Sequence, residues 1–230
     1  MELWETHCHT SQVSGCARST AEEMVEAYLQ AGYAGMVVTD HFEPGTIARR
    51  CPYRDWERRV EWYLSGYRAA LRAAGSRLKV LWGLELRFTE NMNDYLVYGM
   101  SARQLLNAAK EGLLHWGLER FRQYADENGI LVFAAHPFRF SMTINRPELV
   151  DGIEVYNGNP SHDSHNALAM WWAERYELLK ISGSDAHTAD FAARGGIVVY
   201  DEITTMADFC RVVSKQETNL MYESKAHDRH

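Results

Sequence analysis

The chain has 230 residues, with 24 Lys+Arg against 31 Asp+Glu for a formal net charge of −7, and 46% of it is hydrophobic. That mixture excludes a disordered chain, the acidic balance argues against a general nucleic-acid binder, and no apolar run approaches the ~20 residues of a membrane span. Cys8, Cys16, Cys51 and Cys210 form no C-x-x-C pair and residues 1–5 lack the features of an export signal, so reduced thiols and a cytoplasmic address are expected.

Residues 3–7 open a series of short apolar runs read as strands. The others are 36–39, 80–84, 95–98, 130–134, 152–156, 179–182 and 196–200. Helices are expected from the capping-type start Ser19-Thr20-Ala21-Glu22-Glu23, and over 56–74, 113–128 and 167–176. Gly32 and Gly129 are placed to end two of them. No linker or internal repeat divides the chain, so one domain over 1–222 and a polar tail over 223–230 are expected. Strands alternating with helices imply parallel pairing through crossover helices, and about seven such units favour a closed or nearly closed α/β barrel.

Polar residues gather where the apolar runs stop: His7 and His9, Asp40 and His41, Glu85, His136, Asp185 and His187. In a parallel barrel all strand C-termini open on one face, so distant segments would deliver imidazoles and carboxylates to one rim. Residues two apart on a strand point the same way, which pairs His7 with His9 and Asp185 with His187. Neutral imidazole and carboxylate are the donors that zinc, manganese or iron accept.

The ordered pieces Thr6-His7-Cys8-His9-Thr10, Thr39-Asp40-His41, Gly83-Leu84-Glu85, Ala135-His136-Pro137 and Ser184-Asp185-Ala186-His187 resemble the polymerase and histidinol phosphatase (PHP) family. The resemblance implies a distorted (β/α)7 TIM-like barrel, up to three divalent metals (Zn, Mn or Fe) and phosphoesterase activity. It implies one ion on His7, His9, Glu85 and Asp185, a second bridged by Glu85 and bound to His136, and a third on His41 and His187. Asp40 would lie in or just behind that last set. Two departures stand out. The His or Asp common a few residues after H-x-H is absent, leaving Cys16 as the replacement ligand, Gln12 as a weaker one, and a plain buried thiol as the alternative. No histidine follows the 95–98 run, where many members place another ligand of the second ion.

Such a cluster would stay positive inside an acidic protein, attract phosphate and lower the pKa of bound water toward ~7. The expected activity is hydrolysis of a small phosphomonoester, with Asp40, His41, Glu85 and Asp185 as catalytic residues. Asp40 and a metal-bound water are the candidates for leaving-group acid. Arg139 and Arg194 are candidate phosphate contacts. Arg49, Arg50, Arg54, Arg58 and Arg59 either form a lid over the mouth or, for the last two, belong to a solvated helix face. Asn157-Gly158-Asn159 reads as rim or turn, His162 and His165 as a polar loop or helix start with metal binding as the lesser alternative, and Trp171-Trp172 as core and helix packing rather than a base-stacking platform. Competing readings are a PHP-type nuclease, an amidohydrolase-like C–N hydrolase and a catalytically silent metal-binding module. The amidohydrolase reading would need a lysine at a middle strand end, and Lys79 lies at the wrong end.

Overall fold

Two hydrogen-bonded sheets organise the computed structural model, which describes residues 1–222. The chain begins with β1 (Glu2–Cys8), α1 (Ala21–Gln30), β2 (Gly35–Val38) and β3 (His41–Phe42). It continues through α2 (Pro44–Arg49), α3 (Trp56–Tyr63), α4 (Ser65–Ala74), β4 (Lys79–Trp82), β5 (Leu84–Arg87) and β6 (Asp94–Tyr98). Next come α5 (Ala102–Lys110), α6 (Gly117–Asn128), β7 (Leu131–Ala134), β8 (Gly152–Asn157) and α7 (Asn166–Arg175). The last elements are β9 (Leu179–Gly183), β10 (Gly195–Val199), α8 (Met206–Ser214) and β11 (Thr218–Tyr222). The expected tail over 223–230 lies outside the described residues.

Among the described residues, one sheet has the order β11-β10-β1-β2-β4 and the other β3-β5-β6-β7-β8-β9. The sheets meet at two seams. At one, β2 and β4 continue across as β3 and β5, with the Gly83 and Glu85 N–H groups donating to Val38 and Asp40 carbonyls at 3.0 and 3.1 Å. At the other, Cys8 bridges Ala186 in parallel and the Thr6 hydroxyl donates to Ser182 O at 2.8 Å. The fold is mixed α/β, and its strand ladders do not join into one closed barrel among the described residues.

The pairing departs from the all-parallel expectation. β1–β2–β4 and β7–β8–β9 are parallel, but β6 runs antiparallel to both β5 and β7. Residues 88–93 are too few for a crossover helix, so β5 and β6 must form a hairpin. β10 is likewise antiparallel to β1 and β11.

Thr20 caps α1 as its sequence suggests, exchanging bonds with Glu23. The helix expected over 56–74 breaks at Leu64 into α3 and α4. That break sets the Tyr63 hydroxyl on the Asp40 carbonyl. It also lays Gly66 against Thr10 and Asp40, where a Cβ would fall 2.2 Å from Thr10 Oγ1. The 113–128 segment opens as a 3-10 turn and becomes α6 only at Gly117, then stops at the left-handed Gly129 as expected. The structure adds α2, α5, α8, β3 and β11 to the elements read from the sequence, and it splits the 80–84 run at Gly83 into β4 and β5, which belong to different sheets.

Apolar packing secures both sheets. Trp4, Leu96, Tyr98, Phe133 and Phe209 form a cluster between strands and α8. Met24, Val25 and Tyr28 of α1 pack with Ala69, Ala70 and Ala74 of α4. Each such large side chain, fully buried, contributes roughly 1.5–3 kcal/mol. Among the described residues, no helix is long and apolar enough to cross a membrane.

Candidate metal centre

β1 delivers His7 and His9 to the junction of the two sheets, and both are fully buried. β9 ends there at Gly183, where a Cβ would fall 2.6 Å from that of His7 and 2.9 Å from Glu154 Oε1. Only glycine lets the backbone pass so close. His41 and Glu85 are register partners in β3 and β5, and His136 follows β7. Asp185 and His187 follow β9. The backbone is left-handed at His136 (φ 31°) and Asp185 (φ 48°), a sparsely populated region that the surroundings must enforce. The His136 N–H donates to Glu154 Oε2 at 2.9 Å, which holds that turn.

The donor atoms converge. His7 Nε2 and His9 Nε2 are 3.1 Å apart, and Asp185 Oδ1 lies 3.4 and 3.2 Å from them. Glu85 Oε1 is 3.4 Å from His7 Nε2 and 3.1 Å from His136 Nε2. Glu85 Oε2 is 2.7 Å from His41 Nδ1 and 3.4 Å from His9 Nε2. Ligands bonded at about 2.0–2.2 Å to a shared ion stand roughly 3.0–3.5 Å from each other. His9, His41 and His187 form a further group within metal-binding reach.

Arg122 Nε apart, the buried side-chain polar atoms left without a hydrogen bond among the described residues are His41 Nδ1, Glu85 Oε2, His136 Nδ1 and Asp185 Oδ1. Buried polar atoms are rarely orphaned, so Glu85 Oε2 and Asp185 Oδ1, each facing ring nitrogens of the cluster, mark a place for a partner other than protein. The imidazole orientations agree. His7 Nδ1 donates to Glu154 Oε1 at 2.9 Å, which turns Nε2 toward the cluster. The Ser14 hydroxyl donates to Asp40 Oδ1 at 2.6 Å and therefore accepts from His9 Nδ1 at 3.2 Å, which also frees His9 Nε2. His187 Nδ1 donates to the Asp185 carbonyl at 3.0 Å. Such partners fix tautomer and ring orientation in metal sites.

Charge on the cluster is strongly coupled. Burial alone would strip the proton from His7, yet Asp185, Glu154 and Glu85 outweigh it and hold its pKa well above the usual range. His41 is likewise held up against burial, chiefly by Glu85. His9 is driven well below its usual pKa by burial and by His187 and His41. Glu85 and Asp185 are kept ionised despite burial, Glu85 by His41 and His7 and Asp185 chiefly by His7. Beneath them Glu5 Oε1 accepts the N–H groups of Thr6, His7 and Ser184, each at 2.9 Å, and burial pushes the Glu5 carboxyl up to about 7.

Above the cluster opens a cleft of about 1020 Å³ whose walls carry Arg18, Arg49, Arg50, Arg87 and Arg139. Arg139 sits 3.6 Å from Asp94 Oδ2 and 3.8 Å from Asp185 Oδ2. Arg194 stacks on Phe191 at 5.4 Å and is not among the cleft-lining residues. Arg49 and Arg50 line the mouth, whereas Arg58 and Arg59 stack on Tyr53 and Trp56. Cys16 is an exposed residue whose thiol nonetheless reaches His187 and His41. Partial burial opposes ionisation, but those hydrogen bonds bring its pKa down to about 6. Gln12 turns away to Glu22 and the Ala21 N–H. Asp40 lies behind the cluster, its carboxylate bonded to Thr10 N, Thr10 Oγ1 and Ser14 Oγ at 2.6–2.7 Å.

Sequence reading missed Asp94 and Glu154. Asp94 is buried beside His136 (3.9 Å) and is clamped by two Arg87 nitrogens at 2.7 and 2.6 Å. Because β6 is reversed, its first residue meets the rim, so the signal was a carboxylate before the apolar run. Glu154 was visible as a charge inside the apolar run Gly152-Ile153-Glu154-Val155.

A family profile described as PHP-associated matches residues 163–218. No curated protein sequence matches the chain. Among solved structures, the fold is similar to a two-domain protein from Bacteroides vulgatus ATCC 8482 containing a predicted PHP-like metal-dependent phosphoesterase. The TM-score is 0.70 at 16% identity, covering 96% of this chain and 65% of that one. It is also similar to PsfC from Pseudomonas syringae PB-5123, with a TM-score of 0.68 and 17% identity over 97% of this chain and 92% of that one. A third is Endonuclease Q bound to a 27-mer duplex with an abasic lesion, with a TM-score of 0.65 and 14% identity over 93% of this chain and 56% of that one.

Proposed function

We propose, from the premise that this chain is a PHP-family protein, that it is a metal-dependent phosphoesterase acting on a small phosphomonoester. The observation that carries the reading is the gathering of orphaned, buried nitrogen and oxygen atoms beneath an arginine-lined cleft. The two sheets are read as a distorted seven-unit barrel with that cleft as its mouth. His7, His9, Glu85 and Asp185 would hold one divalent ion, and Glu85 and His136 a second, with Asp94 standing in for the missing histidine. His41 and His187 would hold a third with Cys16. Zinc, manganese or iron suits this donor set. Free thiols at Cys8, Cys16, Cys51 and Cys210 suit a reducing cytoplasm.

Bound ions supply hydroxide near neutral pH and offset phosphate charge. The chain's own groups do the rest. Glu154 orients His7, and Asp40 orients His9 through Ser14, so Asp40 serves as a positioning residue. Arg139, close to two carboxylates but hydrogen-bonded to neither, is free to turn its fork to a phosphate. Ser14 is engaged with Asp40, His9 and the His41 N–H, so it does not stand ready for a covalent step.

Likeness to Endonuclease Q and the arginines of the cleft favour a nuclease as the second reading. The net charge of −7 favours a small substrate. A C–N hydrolase with a bridging lysine fits less well, because Lys79 begins β4 and faces Glu2 and Glu202. The test is reconstitution with each metal, followed by phosphate release from an aryl and an alkyl phosphomonoester over a salt series. Turnover with shallow salt dependence is expected. Activity on oligonucleotides alone, or bound metal without phosphate release, overturns the reading.

A further inference from the structure

We infer that His162, on the rim of the cleft, is the acid that protonates the departing alcohol; this rests on the phosphoesterase reading. His162 lies in the loop between β8 and α7 and lines the cleft although it is an exposed residue. The loop is anchored to the floor. Asn159 Nδ2 donates to the Asp185 carbonyl at 3.1 Å, and the Asn159 N–H to Asn157 Oδ1 at 3.1 Å. The Ser161 N–H donates to Asn159 Oδ1 at 3.0 Å, and the Ser164 hydroxyl to Asn157 Oδ1 at 3.3 Å. His162 is thus held relative to the cluster by bonds on both sides of it in the loop.

Direction of attack supplies the next step. Were hydroxide supplied at the buried floor, in-line displacement would send the leaving oxygen toward the mouth, where His162 stands. As the new P–O bond forms, the old one breaks and its electron pair stays on the leaving oxygen. That oxygen takes the imidazolium proton and departs as alcohol. The neutral imidazole regains a proton from solvent, to which it is open.

The other groups of the cleft wall fit this task less well. Guanidinium holds its proton too tightly, and an ordinary carboxyl has lost its own long before neutral pH. Glu43 is in addition committed to Thr46 and lies 3.6 Å from Arg87. Cys16 is acidified and tied to His41 and His187.

The charges facing His162 are Arg139 and His136 from the segment after β7, Asp185 and His187 from that after β9, and Asp163 and His165 on its own loop. Burial and the Arg139 charge lower its pKa below the usual histidine value. A phosphate dianion seated on Arg139 cancels that charge and draws a proton onto the imidazole. Substrate binding therefore arms the acid.

The experiment uses metal-loaded full-length protein and His162→Asn, with metal content of both checked by elemental analysis. An alkyl phosphate needs its leaving oxygen protonated, whereas p-nitrophenolate leaves unaided. The variant should lose about 100-fold or more in kcat/KM on ethyl phosphate and less than about threefold on p-nitrophenyl phosphate. NMR titration of the His162 ring should show its pKa rise when inorganic phosphate is added. Equal loss on both esters, no loss on ethyl phosphate, or a pKa indifferent to phosphate overturns the assignment. A wild-type protein that hydrolyses neither ester removes the phosphoesterase reading itself, and His162's role with it.

Discussion

On the floor of the cleft, His7 and His9 each keep one nitrogen on a fixed oxygen, from Glu154 and Ser14, and are fully buried. On the wall, Arg139 stands 3.6 and 3.8 Å from two carboxylates and is bonded tightly to neither. The floor is preorganised, its donor atoms held in position before anything binds. The wall is adjustable, its charges ready to exchange one anion for another. Damage to the floor should therefore appear in metal retention and turnover, and damage to the wall in apparent substrate affinity.

The largest expected effect is on the floor. Asp185→Ala should lower phosphate release by roughly 10³-fold or more. Its melting temperature in EDTA should fall as well, because the change strips a buried partner from His7 at a left-handed backbone position, so turnover is compared at a temperature where the variant remains folded. Retained activity would break the distinction at its root.

Beneath the floor, Glu5 supplies a pH signature. A carboxyl raised in the folded state stabilises fully below its unfolded pKa, and that contribution is lost as pH climbs through about 7. Between pH 4.5 and 7.5 the metal-free wild type should lose about 3 kcal/mol relative to Glu5→Gln in urea unfolding. Parallel pH curves would show that Glu5 is buried ionised.

Glu154→Gln keeps the shape but weakens the hold on His7. Metal affinity, read by chelator competition, should drop about 10–100-fold. Smallest is the wall: Arg139→Ala should raise KM about tenfold and leave kcat within about threefold, while Arg58→Ala changes neither. A fall in kcat alone for Arg139→Ala would move that residue from the wall's task to the floor's.

Much of the floor was legible because β1, β2, β7 and β9 end at it, so His7, His9, Asp40, His136 and Asp185 follow apolar runs. Asp94 escaped because the short β5–β6 connection reverses β6 and brings its first residue to the rim. Register in a hairpin is set by turn geometry, which a pattern of apolar runs does not encode. The break at Leu64 escaped for another reason. Residues 56–74 have helical spacing throughout, and only the packing of Gly66 on Thr10 and Asp40 shows why two helices are needed. Wall residues such as Arg49 and Arg139 were visible as charges, but which of them faces the cleft depends on α2 and on loops of irregular shape.

The bond between His7 and Glu154 spans 147 positions of the chain. A polypeptide emerging from the ribosome therefore presents the bare His7-Cys8-His9 pair long before its counterparts have been synthesised. Closing so long a loop is slow and entropically costly. Under the proposed ligand assignment, cation capture would wait for β8 and β9 to dock, which would make it a late event of biogenesis.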